Sequence, residues 1–269
     1  MCQKLQYQLS NYNKYIEINK KAWNTRTPIH IKSKFYNHNK FKNGETSLKS
    51  IEINALGDIK EKSLLHLQCH FGQDSISFAR MGAKVTAIDF SNVAIREAKK
   101  IAKETNTDVN FLESNVLDLQ LNKEFDIIFS SYGVLGWLPN LKKWGEIINL
   151  HLKKGGLFLL TEFHPLLEII KDNGYDYFYN KNPDIKIKKG SYTDGGKNIK
   201  TKTCWWNHSL TDIFFALESN GLKLIEFKEF DYSPYKLEDM IKKSKGKYVL
   251  SKRATLSTPY VFNLKATKK

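Results

Sequence analysis

The residues best placed to do chemistry lie in the run Leu64-Leu65-His66-Leu67-Gln68-Cys69-His70-Phe71-Gly72-Gln73-Asp74, followed by Ile88-Asp89-Phe90-Ser91. An apolar segment that ends in a tight turn before a helix presents backbone N–H groups and lets a ligand approach the main chain. An acidic side chain at the tip of the next strand can then accept hydrogen bonds from both hydroxyls of a ribose. Asp89 stands at the customary interval of roughly 20 residues for that duty. These two features are common to many nucleotide-binding α/β domains, so alone they point to a nucleoside ligand and not to a reaction.

The elements that must position these residues can be read from the hydrophobic pattern. From residue 63 onward, short apolar runs alternate with amphipathic helices, which predicts βαβ units and a parallel sheet. Strands are expected at 63–68, 84–89, 108–112, 125–131 and 157–163, with helices at 73–81, 92–104 and from Pro139 to about residue 152. The turn Lys153-Lys154-Gly155-Gly156 precedes the fifth strand. A helix at 209–220 stopped by Gly221, a strand at 222–230, a basic stretch and a last strand near 260–264 complete the chain. Residues 1–45 are polar and aromatic, with a helical pattern around 15–23, and read as an N-terminal helical cap on a main domain of 46–269. Between 165 and 204 the alternation lapses into a segment rich in Tyr, Lys, Gly and Asn, including Tyr175, Tyr177, Phe178, Tyr179 and Tyr192. A connection of that length is usually functional.

Composition narrows the class. No apolar run approaches the roughly 18 residues of a membrane span, and the first residues carry no signal-peptide core, so a soluble, cytoplasmic protein is expected. Cys2, Cys69 and Cys204 are far apart and lack CxxC spacing, which argues against a metal site or a disulfide framework. The formal charge of +15 invites a nucleic-acid partner, yet the only arginines are Arg26, Arg80, Arg96 and Arg253. Recognition of phosphates and bases favours the guanidinium fork, and the lysines are spread along the chain. A solvated lysine surface is the better reading.

With the fourth and fifth strands in view, the chain resembles a class I S-adenosylmethionine-dependent methyltransferase from about Trp23 to the C-terminus. Phe111-Leu112-Glu113-Ser114-Asn115-Val116 resembles the segment that reads the adenine edge, with Asn115 and Val116 in the contacting places. Phe125-Asp126-Ile127-Ile128-Phe129-Ser130-Ser131-Tyr132 resembles the fourth-strand motif, whose end borders the methionine part of the cofactor, and Leu152-Lys153-Lys154-Gly155-Gly156 resembles the turn into strand five. The strings "HLQCHFGQD", "SYGVLGWLP", "EFHP" and "WNHSL" are similar to a bacterial subgroup. The family's first turn usually reads Asp-x-Gly-x-Gly-x-Gly; His66, Gln68, His70 and Gly72 stand at those positions, so only one glycine remains.

The resemblance implies an α/β, Rossmann-like, mostly parallel seven-stranded sheet with helices on both faces and the last strand antiparallel. It implies S-adenosyl-L-methionine held by His66, Gln68, His70, Gly72, Asp74, Asp89, Phe90, Asn115, Val116 and Ser131. Trp23, Arg26 and His30 of the cap would close over the cofactor, with Arg26 facing its carboxylate. Each has a blander alternative: Asp89 as a helix cap, Asn115 as a turn residue, His66 as a satisfied core histidine, and Arg26 as an exposed cation.

Methyl transfer from a sulfonium needs alignment and exclusion of water above all, and a general base only for a protonated nucleophile. Ligands in open α/β sheets bind at the carboxyl ends of strands, which selects Tyr132, Glu162, His164 and His208, the histidines foremost because imidazole titrates near neutrality. Each could instead cap a helix or fix a loop. The aromatic insertion, with Trp205 and Trp206, reads as a substrate lid that shapes a pocket for a small, partly apolar acceptor or offers cation–π contacts to an amine; a homodimer surface is the alternative. Two rivals to a small-molecule methyltransferase stand. An RNA or DNA methyltransferase fits the charge but lacks the Asn/Asp/Ser-Pro-Pro-Tyr/Phe motif after strand four. A non-catalytic S-adenosylmethionine-binding protein fits the glycine-poor turn. A nicotinamide-dependent oxidoreductase lacks its Gly-x-Gly-x-x-Gly turn.

Overall fold

The computed structural model describes residues 2–171 and 176–269; Met1 and 172–175, including Tyr175 of the insertion, lie outside the described residues. In chain order the elements are α1 (Cys2–Lys32), α2 (His38–Lys42), α3 (Ser50–Leu56), β1 (Ser63–His66), α4 (Gln73–Arg80), β2 (Lys84–Asp89), α5 (Asn92–Glu104), β3 (Asn110–Glu113), β4 (Phe125–Ser131), α6 (Leu141–His151), β5 (Leu152–Phe163) and α7 (Pro165–Lys171). They continue with β6 (Asp184–Lys189), β7 (Lys200–Trp205), α8 (Leu210–Glu218), β8 (Leu222–Phe230), β9 (Met240–Ser244), β10 (Lys247–Leu250) and β11 (Val261–Lys268).

Seven strands form one sheet in the order β3-β2-β1-β4-β5-β11-β8. The strands from β3 to β5 pair in parallel, and β11 runs antiparallel to both β5 and β8. The period of two along each strand splits its side chains between two cores. Leu65, Ile88, Ile128, Phe158 and Leu160 meet α6 and α8 on one face. Leu64, Ala87, Ile127, Phe129 and Leu159 meet α4 and α5 on the other. A buried side chain of this size contributes about 1.5–3 kcal/mol, so both faces must be covered, as the alternation of strands and helices predicts. The order reverses between β1 and β4, which opens a crevice at their carboxyl ends.

Several boundaries differ from the sequence expectation. The cap helix is far longer than 15–23, because α1 runs through Thr27-Pro28, a pair that usually ends a helix; its packing on β7 and α5 overrides that local preference. The insertion is not irregular: it contains α7 and the hairpin β6–β7. The basic stretch holds a second hairpin, β9–β10. Strand β5 starts at Leu152, taking in the Lys-Lys-Gly-Gly turn through a register shift opposite β4. Among the described residues no helix is long and apolar enough to cross a membrane.

Candidate active site

The glycine-poor turn after β1 keeps a glycine-type backbone. Gln68 (φ 55°), His70 (φ 52°) and Gly72 (φ 76°) all lie in the left-handed region, which costs a non-glycine residue roughly 1–2 kcal/mol. Tertiary bonds hold the strained path: Cys69 N donates to Ile88 O (2.8 Å), and Gln68 Nε2 donates to Val134 O (3.1 Å). At Gly72 a Cβ would strike the Phe111 ring, so that position requires glycine for close packing as well as for its φ.

Asp89, at the tip of β2, is 7% exposed. One carboxyl oxygen accepts from His70 N (2.9 Å) and the other from Ser91 N (2.8 Å). Burial pushes its pKa up to about 6, against the lowering effect of both N–H groups. Two ionised oxygens offer about four lone-pair sites, so capacity for two further donors remains.

Helix α1 crosses above this turn. Trp23, Arg26 and His30 fall on one face because positions three, four and seven apart share a side of a helix. The Trp23 ring meets His70, His30 and Trp137 edge-on, with centroids 5.0, 5.9 and 5.4 Å apart. His30 Nδ1 lies 3.1 Å from His70 Nε2, and its Nε2 lies 2.6 Å from Ser191 Oγ in the insertion. Burial first, and then the nearby Arg26 charge, lowers His30 to about 3. Asn24 is anchored by Ser91 Oγ (2.6 Å), and Lys20 by Glu113 (2.7 Å), so α1 is tied to the ends of β2 and β3.

Arg26 is 5% exposed. One terminal nitrogen donates to Thr201 Oγ1 (3.0 Å), Nε has no partner, and among the described residues no carboxylate reaches the guanidinium. It lies over the Trp23 and Trp137 rings at 5.6 and 5.8 Å, and burial lowers its pKa. The reading of Arg26 as an exposed cation is therefore corrected.

The other expected cofactor residues divide. His66 is a core residue: its Nδ1 pairs with Ser75 Oγ (2.8 Å), its ring packs on Phe78 and Phe129, and burial lowers it to about 3. Its side chain thus has the surroundings of a satisfied core histidine, the blander of the two readings of this residue. Phe90 and Ser131 sit half-buried at the ends of β2 and β4. Asn115 caps the short turn that follows, accepting from Leu117 N (3.3 Å) and donating to Asp118 (2.7 Å). Val116 joins the core on the α6 side. Asp74 accepts from Ser47 Oγ (2.6 Å) and lies near Tyr36, Tyr132 and Tyr235 rather than Asp89.

The candidate bases are not brought to one point. His164 and His208 line a cavity of about 70 Å³ with Gly133, Glu162, Trp205 and Trp206. His208 Nε2 donates to Leu138 O (2.9 Å), its ring stacks on Tyr179, and burial lowers it to about 4. His164 Nδ1 accepts from Leu166 N (3.1 Å), and Nε2 lies 3.0 Å from Glu229. Both imidazoles are occupied in fixing chain segments. Tyr132 (φ 46°) turns instead toward Glu52 and Tyr235, and burial raises its phenol well above its ordinary range, which suits a donor and not a base.

Glu162 is engaged by backbone alone. Its carboxylate accepts from Gly133 N, Val134 N (2.8 Å), Leu135 N (3.2 Å) and Phe163 N (2.7 Å), which pins the loop after β4. This explains a buried acid without a cation and removes it from the list of bases. Glu162→Gln turns one acceptor into a donor facing N–H groups. Hydrogen bonds to a charged group are worth about 1.5–3 kcal/mol each, so a loss of about 3 kcal/mol and a drop in Tm of roughly 6–12 °C are expected. An unchanged thermal melt would contradict this assignment.

Residues that sequence reading missed are Tyr36, Glu52 and Tyr235, which join Tyr132, Asp74 and Tyr192 beside the turn. Tyr36 meets Phe71 and His70 edge-on at 4.6 and 5.8 Å. No spacing rule connects positions so remote in sequence.

Comparison with known proteins places this geometry. Residues 64–156 match the family model described as a methyltransferase domain. The sheet and its crevice have the fold of the S-adenosylmethionine-dependent methyltransferases. One such structure, from Clostridium acetobutylicum, aligns with a TM-score of 0.58 at 15% identity over 93% of this chain and 98% of that one. A glycopeptide N-methyltransferase complexed with S-adenosyl-L-methionine aligns with a TM-score of 0.54 at 14% identity, over 81% of this chain and 88% of that one. Among curated relatives, a ubiquinone biosynthesis O-methyltransferase of Rickettsia felis is 31% identical over 106 residues. That match covers 39% of this chain and 42% of the relative's length, so this chain spans less than half of that relative.

Proposed function

We propose that this protein is an S-adenosylmethionine-dependent methyltransferase that acts by in-line displacement on a small-molecule acceptor. The observation that carries the reading is the turn after β1. Gln68 and His70 are held at glycine-like φ values beside a buried carboxyl group at the tip of β2. A turn that had merely lost its function would have little reason to maintain that strain.

The residues present fit the cofactor. Asp89 has acceptor capacity for both ribose hydroxyls, Asn115 stands at the end of β3 for the adenine side, and Arg26 supplies a buried positive charge without a carboxylate. When bound, the cofactor supplies an activated methyl group on a sulfonium. The chain's own work is to orient and to exclude water. Trp23, Trp137 and His70 form an aromatic wall over the turn, and α1 with the insertion closes it from above. In this reading residues 1–45 are the cap, 46–269 the catalytic domain and 165–204 the lid over the acceptor. Trp205 supports the lid, since a Cβ at Gly136 would fall within its ring. Proximity and orientation in such an enclosure can supply most of the rate.

The test is a calorimetric titration with S-adenosylhomocysteine. Saturable binding is expected, with a dissociation constant below about 100 μM, or roughly 5 kcal/mol of binding free energy. No heat at millimolar ligand would overturn the proposal.

A further inference from the structure

We infer that the acceptor site is an ammonium cage, in which the rings of Tyr36, Tyr132, Tyr192 and Tyr235 surround a cation held against the carboxyl groups of Glu52 and Asp74, so that the methyl acceptor is an amine. The inference rests on the methyltransferase reading and names its acceptor class.

Six residues from separate parts of the chain converge here. The Tyr36 and Tyr192 hydroxyls are 2.5 Å apart. The Tyr132 ring meets Tyr235 edge-on at 5.0 Å, and Phe35 stacks on Tyr235 at 5.4 Å. Tyr36 also contacts His70, which makes the cage continuous with the cofactor turn. It lies toward the carboxyl end of β4, where Tyr132 follows the strand.

Glu52 is 1% exposed and accepts from Lys49 N (2.8 Å), while Asp74 accepts from Ser47 Oγ (2.6 Å). Among the described residues neither carboxyl forms an ion pair. A buried acid beside a half-buried one is costly unless a positive charge joins them. Burial, reinforced by Asp74, pushes Glu52 up to about 7, and burial raises Asp74 as well. The rings complement that demand, since an ammonium is drawn to the faces of aromatic rings. The chain already places one cation there: Lys49 Nζ lies 4.8 Å from the centre of the Tyr235 ring. An anionic acceptor would meet repulsion from the two carboxyl groups, whereas an ammonium is drawn both to them and to the rings. Before the transfer the bound ammonium gives one proton to the Glu52 carboxylate or water. The lone pair so freed on nitrogen forms the new N–CH3 bond, the pair of the broken C–S bond stays on sulfur, and the product leaves as a methylated ammonium.

Choline and its uncharged isostere 3,3-dimethyl-1-butanol are the probes, each titrated calorimetrically into the full chain with and without saturating S-adenosylhomocysteine. Choline is expected to bind at least tenfold more tightly than the isostere. Glu52→Gln should weaken choline at least tenfold while changing the S-adenosylhomocysteine affinity less than twofold. Tyr235→Phe should retain choline binding, whereas Tyr235→Leu should lose it; this pair keeps the test sharp if the Glu52 variant folds poorly. Equal affinity for the two probes, or choline binding indifferent to both Glu52→Gln and Tyr235→Leu, would overturn the cage. Failure of S-adenosylhomocysteine to bind would instead strike the cofactor reading, and the choline arm without it still reads the cage.

Discussion

Asp89→Asn is expected to weaken S-adenosylhomocysteine binding by about 100-fold. Two ribose hydroxyls donating to an ionised carboxylate contribute about 1.5–3 kcal/mol each, and the amide replaces one acceptor oxygen by a donor. The same oxygens hold His70 N and Ser91 N, so a control must separate lost binding from a collapsed turn. The pH dependence of stability provides one. The folded pKa of about 6 lies above the ordinary 3.8, so the fold favours the protonated acid. Its contribution is most favourable below pH about 4 and declines as pH rises to about 6, by about 3 kcal/mol in all. The neutral amide lacks that decline. The variant should therefore flatten the stability profile between pH 4 and 6 while its affinity collapses. Calorimetry and melts over that range read both, and undiminished affinity at pH 7.5 would remove Asp89 from the site.

What could be read in advance follows from what is local. Strands β1, β2 and β4, and helices α4 and α5, were legible because buried parallel strands are continuous apolar runs and their helices carry one apolar stripe. The parallel part of the sheet and the Asp89 position follow from that alternation, while the seven-stranded order with an antiparallel last strand came from the family resemblance. His66 was not resolvable, since a histidine in an apolar strand reads alike whether it faces a ligand or, as here, Ser75 and Phe78. Glu162 looked like a base because three of its four backbone donors come from a loop some thirty residues earlier, and no pattern announces such a cradle. The hairpins β6–β7 and β9–β10 were missed because β6 is exposed along its whole length and β9 at all but Met240, so no buried face marks either as a strand. Tyr36, Glu52 and Tyr235 form a cluster only through tertiary folding. Trp23, Arg26 and His30 were expected from the cap without a spacing argument, and they become legible as one helix face once α1 is seen to continue past Pro28.

Arg26→Met is expected to act in opposite directions on stability and on binding. In the free protein the guanidinium is buried on two tryptophans, with one hydroxyl partner and an unpaired Nε. Burying a cation without an anion is expensive, and an apolar side chain of similar length recovers contact with the indoles at no charging cost. The variant should therefore melt higher than the parent when no ligand is present, by several degrees for a gain of about 1–2 kcal/mol. If the charge is retained to meet the carboxylate of the bound cofactor, the same change removes a charge-assisted pair worth about 2–3 kcal/mol and weakens S-adenosylhomocysteine roughly 30- to 100-fold. Saturating ligand should then raise the parent's Tm by several degrees more than the variant's. A purely structural arginine would give the opposite first result, since its removal would lower the ligand-free melt and leave the ligand-induced shift intact. Adenosine, which lacks the carboxylate, sharpens the contrast: its affinity should be the same in both proteins, and an equal loss for adenosine and S-adenosylhomocysteine would show that Arg26 shapes the pocket without reading the carboxylate.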